Sequence, residues 1–300
     1  MKRIFYISIA VIIISQFACM IKKAPLDGLE FEIEKKLFID SAQFGVAFKN
    51  VQTGETLLMN EKQSFHAAST MKTPVLIELF KQASTGKFSM NDSIEIKNNF
   101  KSIVDGSEYS LDSADDSEFE LYKAIGQKRT IADLAYNMII LSSNMATNML
   151  IELVTADSVM KTMKSLGAKD IKVLRGVEDS KAFEKGLNNT TTAYDQMLLY
   201  YLLAKEKLVN KEASNEMTKI LLDQKFNTII PAKLPPEVKV AHKTGSITGV
   251  QHDAGVVILP DGRKYVLVLL SRFKKEDEKK VIEAMAGVSK LVYDYVLNHQ

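Results

Sequence analysis

Apolar residues recur at helical spacing at Leu29, Ile33 and Leu37, which predicts a first helix with one buried face. Two β-type runs follow, Phe44-Gly45-Val46-Ala47-Phe48 and Thr56-Leu57-Leu58, and Thr53-Gly54 between them predicts a hairpin. Residues 71–82 are apolar for most of their length, the pattern of a buried helix. From about residue 85 to 225, polar loops alternate with helical segments at 131–141, 144–154, 158–166, 192–204 and 213–223; one loop is an acidic tract at 112–120. Thr130, with Asp133 three residues on, suits the start of the first of these helices. Pro231, Pro235 and Pro236 close the helical part. Two strong strand signals at 254–259 and 265–270 then meet at Asp261-Gly262, a good tight turn. A terminal helix over 276–296 carries Val281, Met285, Val288 and Leu291 or Val292 on one face.

Two strands near the start and three near the end, each group flanked by helices, predict an α+β fold with one sheet of about five strands closed by both chain ends. The expected division is an α/β lobe from residues 26–84 plus 226–298 and an inserted all-helical lobe from 85–225. A cleft between lobes is a common ligand site.

Composition narrows the function classes. The 300 residues are 46% hydrophobic, enough for one large domain or two closely packed ones. The 39 basic and 37 acidic residues nearly cancel, so no broad field draws in nucleic acid. Lys274, Lys275, Lys279 and Lys280 are interrupted by Glu276, Asp277 and Glu278, as on a solvated helix face. One Cys and four scattered His give no metal-like or redox-like spacing, and no metal is expected. At the N-terminus, Lys2 and Arg3 precede an apolar stretch from Ile4 to Ile14, as in a secretory signal; an uncleaved anchor is the alternative. Cys19 follows Ala18 where a bacterial lipoprotein signal puts its lipidated cysteine, although Gln16 stands at a normally aliphatic place. Lipidation of Cys19 and ordinary cleavage nearby both remain open, and both put the folded part outside the cytoplasm, periplasmic or membrane-anchored. A monomer is expected.

Three short motifs carry chemistry. Ser69-Thr70-Met71-Lys72 would put Ser69 at a helix N-terminus with Lys72 one turn along the same face, an amine beside a hydroxyl. Taken alone, the tetrad is weak. Ser142-Ser143-Asn144 sits between two helices, and His242-Lys243-Thr244-Gly245 lies on a strand that should border the same cleft. In order and approximate spacing these resemble the Ser-x-x-Lys, Ser-Asp-Asn and Lys-Thr-Gly signature of class A β-lactamases and penicillin-binding proteins, with Ser143 where Asp is usual. The resemblance extends through Asn148 and Leu150, Thr190-Thr191-Thr192, and Ile230-Pro231-Ala232 with Leu234-Pro235. It covers roughly residues 26 to 298.

The resemblance implies a helical lobe beside an antiparallel sheet flanked by helices, and no organic cofactor. It implies that Ser69 attacks an amide carbonyl, with Lys72 as proton acceptor if held neutral or relayed through another base. Ser142 would pass a proton to the departing nitrogen, and Asn144 would hold a substrate amide. Lys243 and Thr244 would receive a substrate carboxylate, with Gly245 beside them. The backbone N–H groups of Ser69 and Ser246 would form the oxyanion hole. Arg175-Gly176-Val177-Glu178-Asp179 looks like the start of the loop that carries the deacylating Glu, here one residue further from its Arg, and Asn189-Thr190 looks like its end. Glu178 is the candidate base and Glu184 the alternative. Ala182 stands where the family has an Asn, Asn188 is a candidate substitute, and Asn189 replaces the Asp that pairs with the Arg. His66 and His252 read as structural. Tyr109 and Phe119 are either cleft walls or surface-loop anchors. The leading expectation is a serine β-lactamase working through a Ser69 acyl-enzyme on a small β-lactam. One alternative is a penicillin-binding D-alanyl-D-alanine peptidase or related hydrolase acting on cell-wall peptide. The other is a binding protein without turnover.

Overall fold

The computed structural model describes residues 25–299; the expected signal segment and Cys19 lie outside the described residues. Helix α1 (Pro25–Leu37) leads into strands β1 (Gln43–Asn50) and β2 (Thr56–Met59). Helix α2 (Lys72–Ser84) follows, then α3 (Ile131–Ile140), α4 (Asn144–Val154), α5 (Ala156–Leu166), α6 (Ser180–Glu184), α7 (Ala193–Ala204) and α8 (Lys211–Leu222). Strands β3 (Lys239–Ile247), β4 (Val250–Ile258) and β5 (Lys264–Arg272) and helix α9 (Glu278–Asn298) end the chain.

These five strands form one antiparallel sheet in the order β2-β1-β5-β4-β3, with Val46 opposite Leu269 and Ala254 opposite Lys243 in the register. Strand alternation assigns the two faces. Phe44, Val46, Phe48, Leu267 and Leu269 pack with Ile33 of α1 and Val281, Met285 and Val288 of α9. Ala47, Val266, Val268 and Leu270 face the other way, into the core that holds Leu199, Tyr200 and Leu203 of α7. Each fully buried side chain of this size contributes roughly 1.5–3 kcal/mol relative to exposure.

Helix α2 is the axis of the helical region, with α3, α4, α5 and α8 packed against it. Val75, Leu76, Ile77 and Leu79 are all buried, so its apolar residues go right round the helix. The helix begins within one residue of the predicted 71–82, but Ser69 lies before it and not at its N-terminus. Ala68–Met71 is a 3-10 turn and the α-helix starts at Lys72, which puts Pro74 in the first helical turn, where its missing N–H costs no bond. Ser69 therefore sits in the tight turn before the helix.

The long polar stretch before α3 is more ordered than its composition suggests. Ser93–Glu95 pairs with Lys128–Thr130, Phe100–Lys101 pairs with Glu108–Tyr109, and Phe119–Ala124 is a 3-10 segment. Pairings this short carry no readable periodicity. Thr130 caps α3 as expected, accepting from the Asp133 N–H at 3.0 Å.

Candidate active site

Strand β3 is an edge of the sheet, and it runs against the Ser69 turn. A Cβ on Gly245 would lie 3.1 Å from Thr70 Cγ2 and 3.2 Å from both Ala68 Cβ and Ser69 N, so any side chain here would push on the Ser69 turn by a few tenths of an ångström. Ala68, beside Ser69, has φ 44, in the left-handed region that disfavours a side chain. Its N–H donates to His66 Nδ1 at 3.1 Å, and the His66 carbonyl lies 2.8 Å from His252 Nε2. The two histidines thus brace the turn from below. Burial pushes His252 down to about 4, so the ring stays neutral near neutral pH.

Lys72 is fully buried and points at the α3–α4 junction. Its Nζ donates to Ser142 O at 2.7 Å, Asn144 Oδ1 at 2.9 Å and Ser142 Oγ at 3.2 Å. Burial pushes the amine down to about 7, with Asp116 and Glu178 pulling the other way. Lys243, equally buried, donates to Ser142 Oγ at 3.1 Å and to Thr244 O at 2.9 Å. Burial, and then the charge of Lys72, hold it well below the usual lysine range, while Asp253 opposes the shift. Ser142 is presented to both amines by a left-handed backbone, φ 58.

Asn144 joins this cluster to the loop before α6. Its Nδ2 donates to Glu178 Oε1 at 2.7 Å, while its Oδ1 accepts from Lys72. The sequence-based expectation gave the Asn144 amide to substrate; in the structure it bridges an amine and a carboxylate. Glu178 is also left-handed, φ 61, and burial raises its carboxyl pKa, which the Asn144 hydrogen bond opposes. Residues flanking or forming the site thus account for Ala68, Ser142 and Glu178 among the left-handed non-glycine positions, and such strain concentrates where geometry is functional.

A cavity of about 440 Å³ is lined by Ser69, Asn144, Glu178, Ser246 and Ile247, with Phe183 of α6 on the lining too. Lys72, Ser142, Lys243, Thr244 and Gly245 are not on that lining; Lys72, Lys243 and Gly245 are buried, and Ser142 and Thr244 are half-buried. Ser246 Oγ accepts from Gln251 Nε2 at 2.8 Å. Glu184 is exposed at the end of α6 and is not on the cavity lining. Tyr109 anchors the loop by donating to Val177 O at 3.2 Å, and Phe119 is exposed beneath Lys123; neither lines the cavity.

The Glu178 loop is closed by amides. Asn189 Oδ1 accepts from the Leu174 and Arg175 N–H groups at 2.8 and 3.2 Å, and its Nδ2 donates to Arg175 O at 2.9 Å. Arg175 turns its guanidinium to the carbonyls of Leu187 and Gly176, both at 3.0 Å, and to Asn188 Oδ1 at 3.4 Å. Asn188 is therefore engaged with Arg175. Asn148 pins the loop to α4, accepting from Val177 N–H at 2.6 Å and donating to Val177 O at 3.0 Å. Sequence reasoning missed Asp116, whose carboxylate accepts from the Asn144 and Met145 N–H groups; only the acidic tract around it was visible.

Known proteins share the fold. A β-lactamase from Bacteroides uniformis is 26% identical over 298 residues, covering 94% of this chain and 97% of that protein. Beta-lactamase VEB-1 of Pseudomonas aeruginosa is 25% identical over 293 residues, covering 94% and 95%. The solved structure of a β-lactamase from Chitinophaga pinensis superposes with a TM-score of 0.77 at 21% identity, covering 90% of this chain and 99% of that one. The structure of PBP-A gives a TM-score of 0.76 at 24% identity over 90% and 96%. The profile described as the β-lactamase enzyme family matches residues 31–296, from within α1 to the end region of α9, and this chain belongs to that family.

Proposed function

We propose that the protein is a class A serine β-lactamase that opens the four-membered amide through an ester on Ser69 and hydrolyses that ester with Glu178. The observation that carries this reading is the Lys72–Asn144–Glu178 relay, in which one amide side chain touches both the amine and the carboxylate. With its pKa lowered to about 7, the Lys72 amine is substantially neutral at neutral pH and can take the Ser69 proton as Oγ attacks the carbonyl. Negative charge then develops on the carbonyl oxygen, where the N–H groups of Ser69 and Ser246 would receive it. Ser142, bonded to both lysines, supplies a hydroxyl proton to the departing nitrogen and recovers one from Lys72. The nitrogen leaves as an amine of the opened ring.

A substrate carboxylate arriving beside Lys243 and Thr244 favours the ammonium form of Lys243, so binding itself restores the charge that burial suppresses. In the second half, Glu178 takes a proton from water, the hydroxide attacks the Ser69 ester, and Ser69 leaves with its proton restored. Lining the same cavity as Ser69 supports Glu178 in this role over the outlying Glu184.

Turnover of a chromogenic cephalosporin, followed by intact mass, tests the reading. Rapid hydrolysis that Ser69→Ala abolishes in a folded protein supports it. A lasting stoichiometric adduct on the parent supports a penicillin-binding peptidase instead, and no adduct with any β-lactam supports a binding protein. Lys2, Arg3 and the apolar stretch after them support export, with Cys19 as the lipid site. Mature protein that starts elsewhere and carries no lipid would remove the anchor while keeping export.

A further inference from the structure

Four N–H groups at a helix start have no partner within the helix. At α4, Ser143 Oγ accepts only from Ala146 N–H, at 3.2 Å. The two preceding amides go to Asp116, a residue of the acidic tract. Asn144 N–H lies 3.0 Å from both carboxylate oxygens of Asp116, and Met145 N–H lies 2.9 Å from Oδ2. Tyr122 OH donates to the same Oδ2 at 3.0 Å and fixes the carboxylate plane. Asp116 is 9% exposed, so these bonds are largely shielded from water. A hydroxyl at position 143 brings no charge to the positive end of α4, and the carboxylate from the tract brings one.

This clamp holds the residues that hold Lys72. Asn144 gives Lys72 its Oδ1, and the preceding Ser142 gives it O and Oγ. We propose that Asp116 is a positioning residue of acylation, an acidic side chain from the inserted loop that supplies the helix-start charge Ser143 lacks and sets Asn144 and Ser142 on Lys72. The proposal rests on the acyl-enzyme reading of Ser69 only for its kinetic consequence.

The charge has a second effect with a definite sign. The groups facing Lys72 are Asp116 from the acidic tract, Glu178 from the loop before α6 and Lys243 from β3, together with neutral Ser142 and Asn144. Asp116 itself faces Glu118, Tyr122 and Glu178. A negative charge at Asp116 favours the Lys72 ammonium. With the burial of Lys72 unchanged, removing it lowers the pH at which Lys72 loses its proton.

The test compares the parent with Asp116→Asn, Ser143→Asp and the double variant. Two measurements are made: the Lys72 titration midpoint in ligand-free protein, by NMR of 13C-labelled lysine assigned with Lys72→Arg, and the pH profile of single-turnover acylation by a cephalosporin. Asp116→Asn is expected to lower the Lys72 midpoint and to cut the acylation plateau about tenfold or more. Adding Ser143→Asp is expected to return the midpoint toward the parent and recover part of the rate. A midpoint unchanged in Asp116→Asn, or a double variant no closer to the parent than the single one in either measurement, overturns the proposal. Should the parent give no adduct while the midpoint still moves and returns, the Ser69 reading fails and the positioning of Lys72 by Asp116 stands.

Discussion

Lys72 and Lys243 share one acceptor: the two amines approach Ser142 Oγ at 3.2 and 3.1 Å from opposite elements, the central helix and the edge strand. Burial lowers the pKa of both amines, and the charge of Lys72 lowers that of Lys243 further. The shared hydroxyl is consistent with a proton that moves between attack and departure. It also makes the site sensitive to pH at the point where Lys72 titrates.

The first prediction is therefore kinetic. Acylation by a neutral-to-anionic cephalosporin should rise from pH about 5.5 to about 8 with a midpoint near the Lys72 value of about 7. The sign follows from the neutral amine being the active form. Lys72→Arg, which stays protonated, should lose about 10²–10⁴-fold at the plateau with its fold intact by circular dichroism. A flat profile between those limits in the parent would exclude Lys72 as the base.

Lys243→Ala removes one of the two amines on Ser142 and the group proposed to receive the substrate carboxylate. Its acylation rate with carboxylate-bearing substrates should fall by about one to two decades, the worth of a charge-assisted hydrogen bond of roughly 1.5–3 kcal/mol. Lys243→Arg should keep part of it. Equal rates for parent and Lys243→Ala across several such substrates would contradict the role.

Much of this architecture was legible in the sequence. Alternation at Phe44, Val46 and Phe48 and the helical period at Val281, Met285 and Val288 both report burial on one face, and each segment packs on that face. Lys72, Ser142 and Lys243 were legible because their motifs are short words in a fixed order. Asp116 was not, because Asp112, Asp115 and Glu118 stand near it and nothing local says which acid turns inward. The 3-10 turn that holds Ser69 ahead of α2 was equally hidden, since a single turn is too short to show a period. Asn189 was placed at the foot of the Glu178 loop, but its partner is the Arg175 backbone instead of the guanidinium.

That last difference gives a prediction against the family pattern. Asn189→Asp restores the residue usual at this place, yet it replaces the Nδ2 donor to Arg175 O with an acceptor. The variant should be destabilised by roughly 1–3 kcal/mol in urea unfolding, with slower deacylation as the loop loosens. Stability at or above the parent's would mean that the guanidinium swings to the new carboxylate and that the amide closure is dispensable.

The central claim is that Glu178, held by Asn144 on the wall of the Ser69 cavity, hydrolyses the acyl-enzyme. Intact mass of the parent and Glu178→Gln, each mixed with a penicillin and quenched over a time course, tests it most directly. An amide cannot accept the proton of the attacking water, and loss of a well-placed general base slows its step about 10²–10⁴-fold. The account predicts free enzyme in the parent after the substrate is consumed, and in Glu178→Gln a persistent adduct that peptide mapping assigns to Ser69. Glu178→Gln returning to free enzyme as fast as the parent would contradict it.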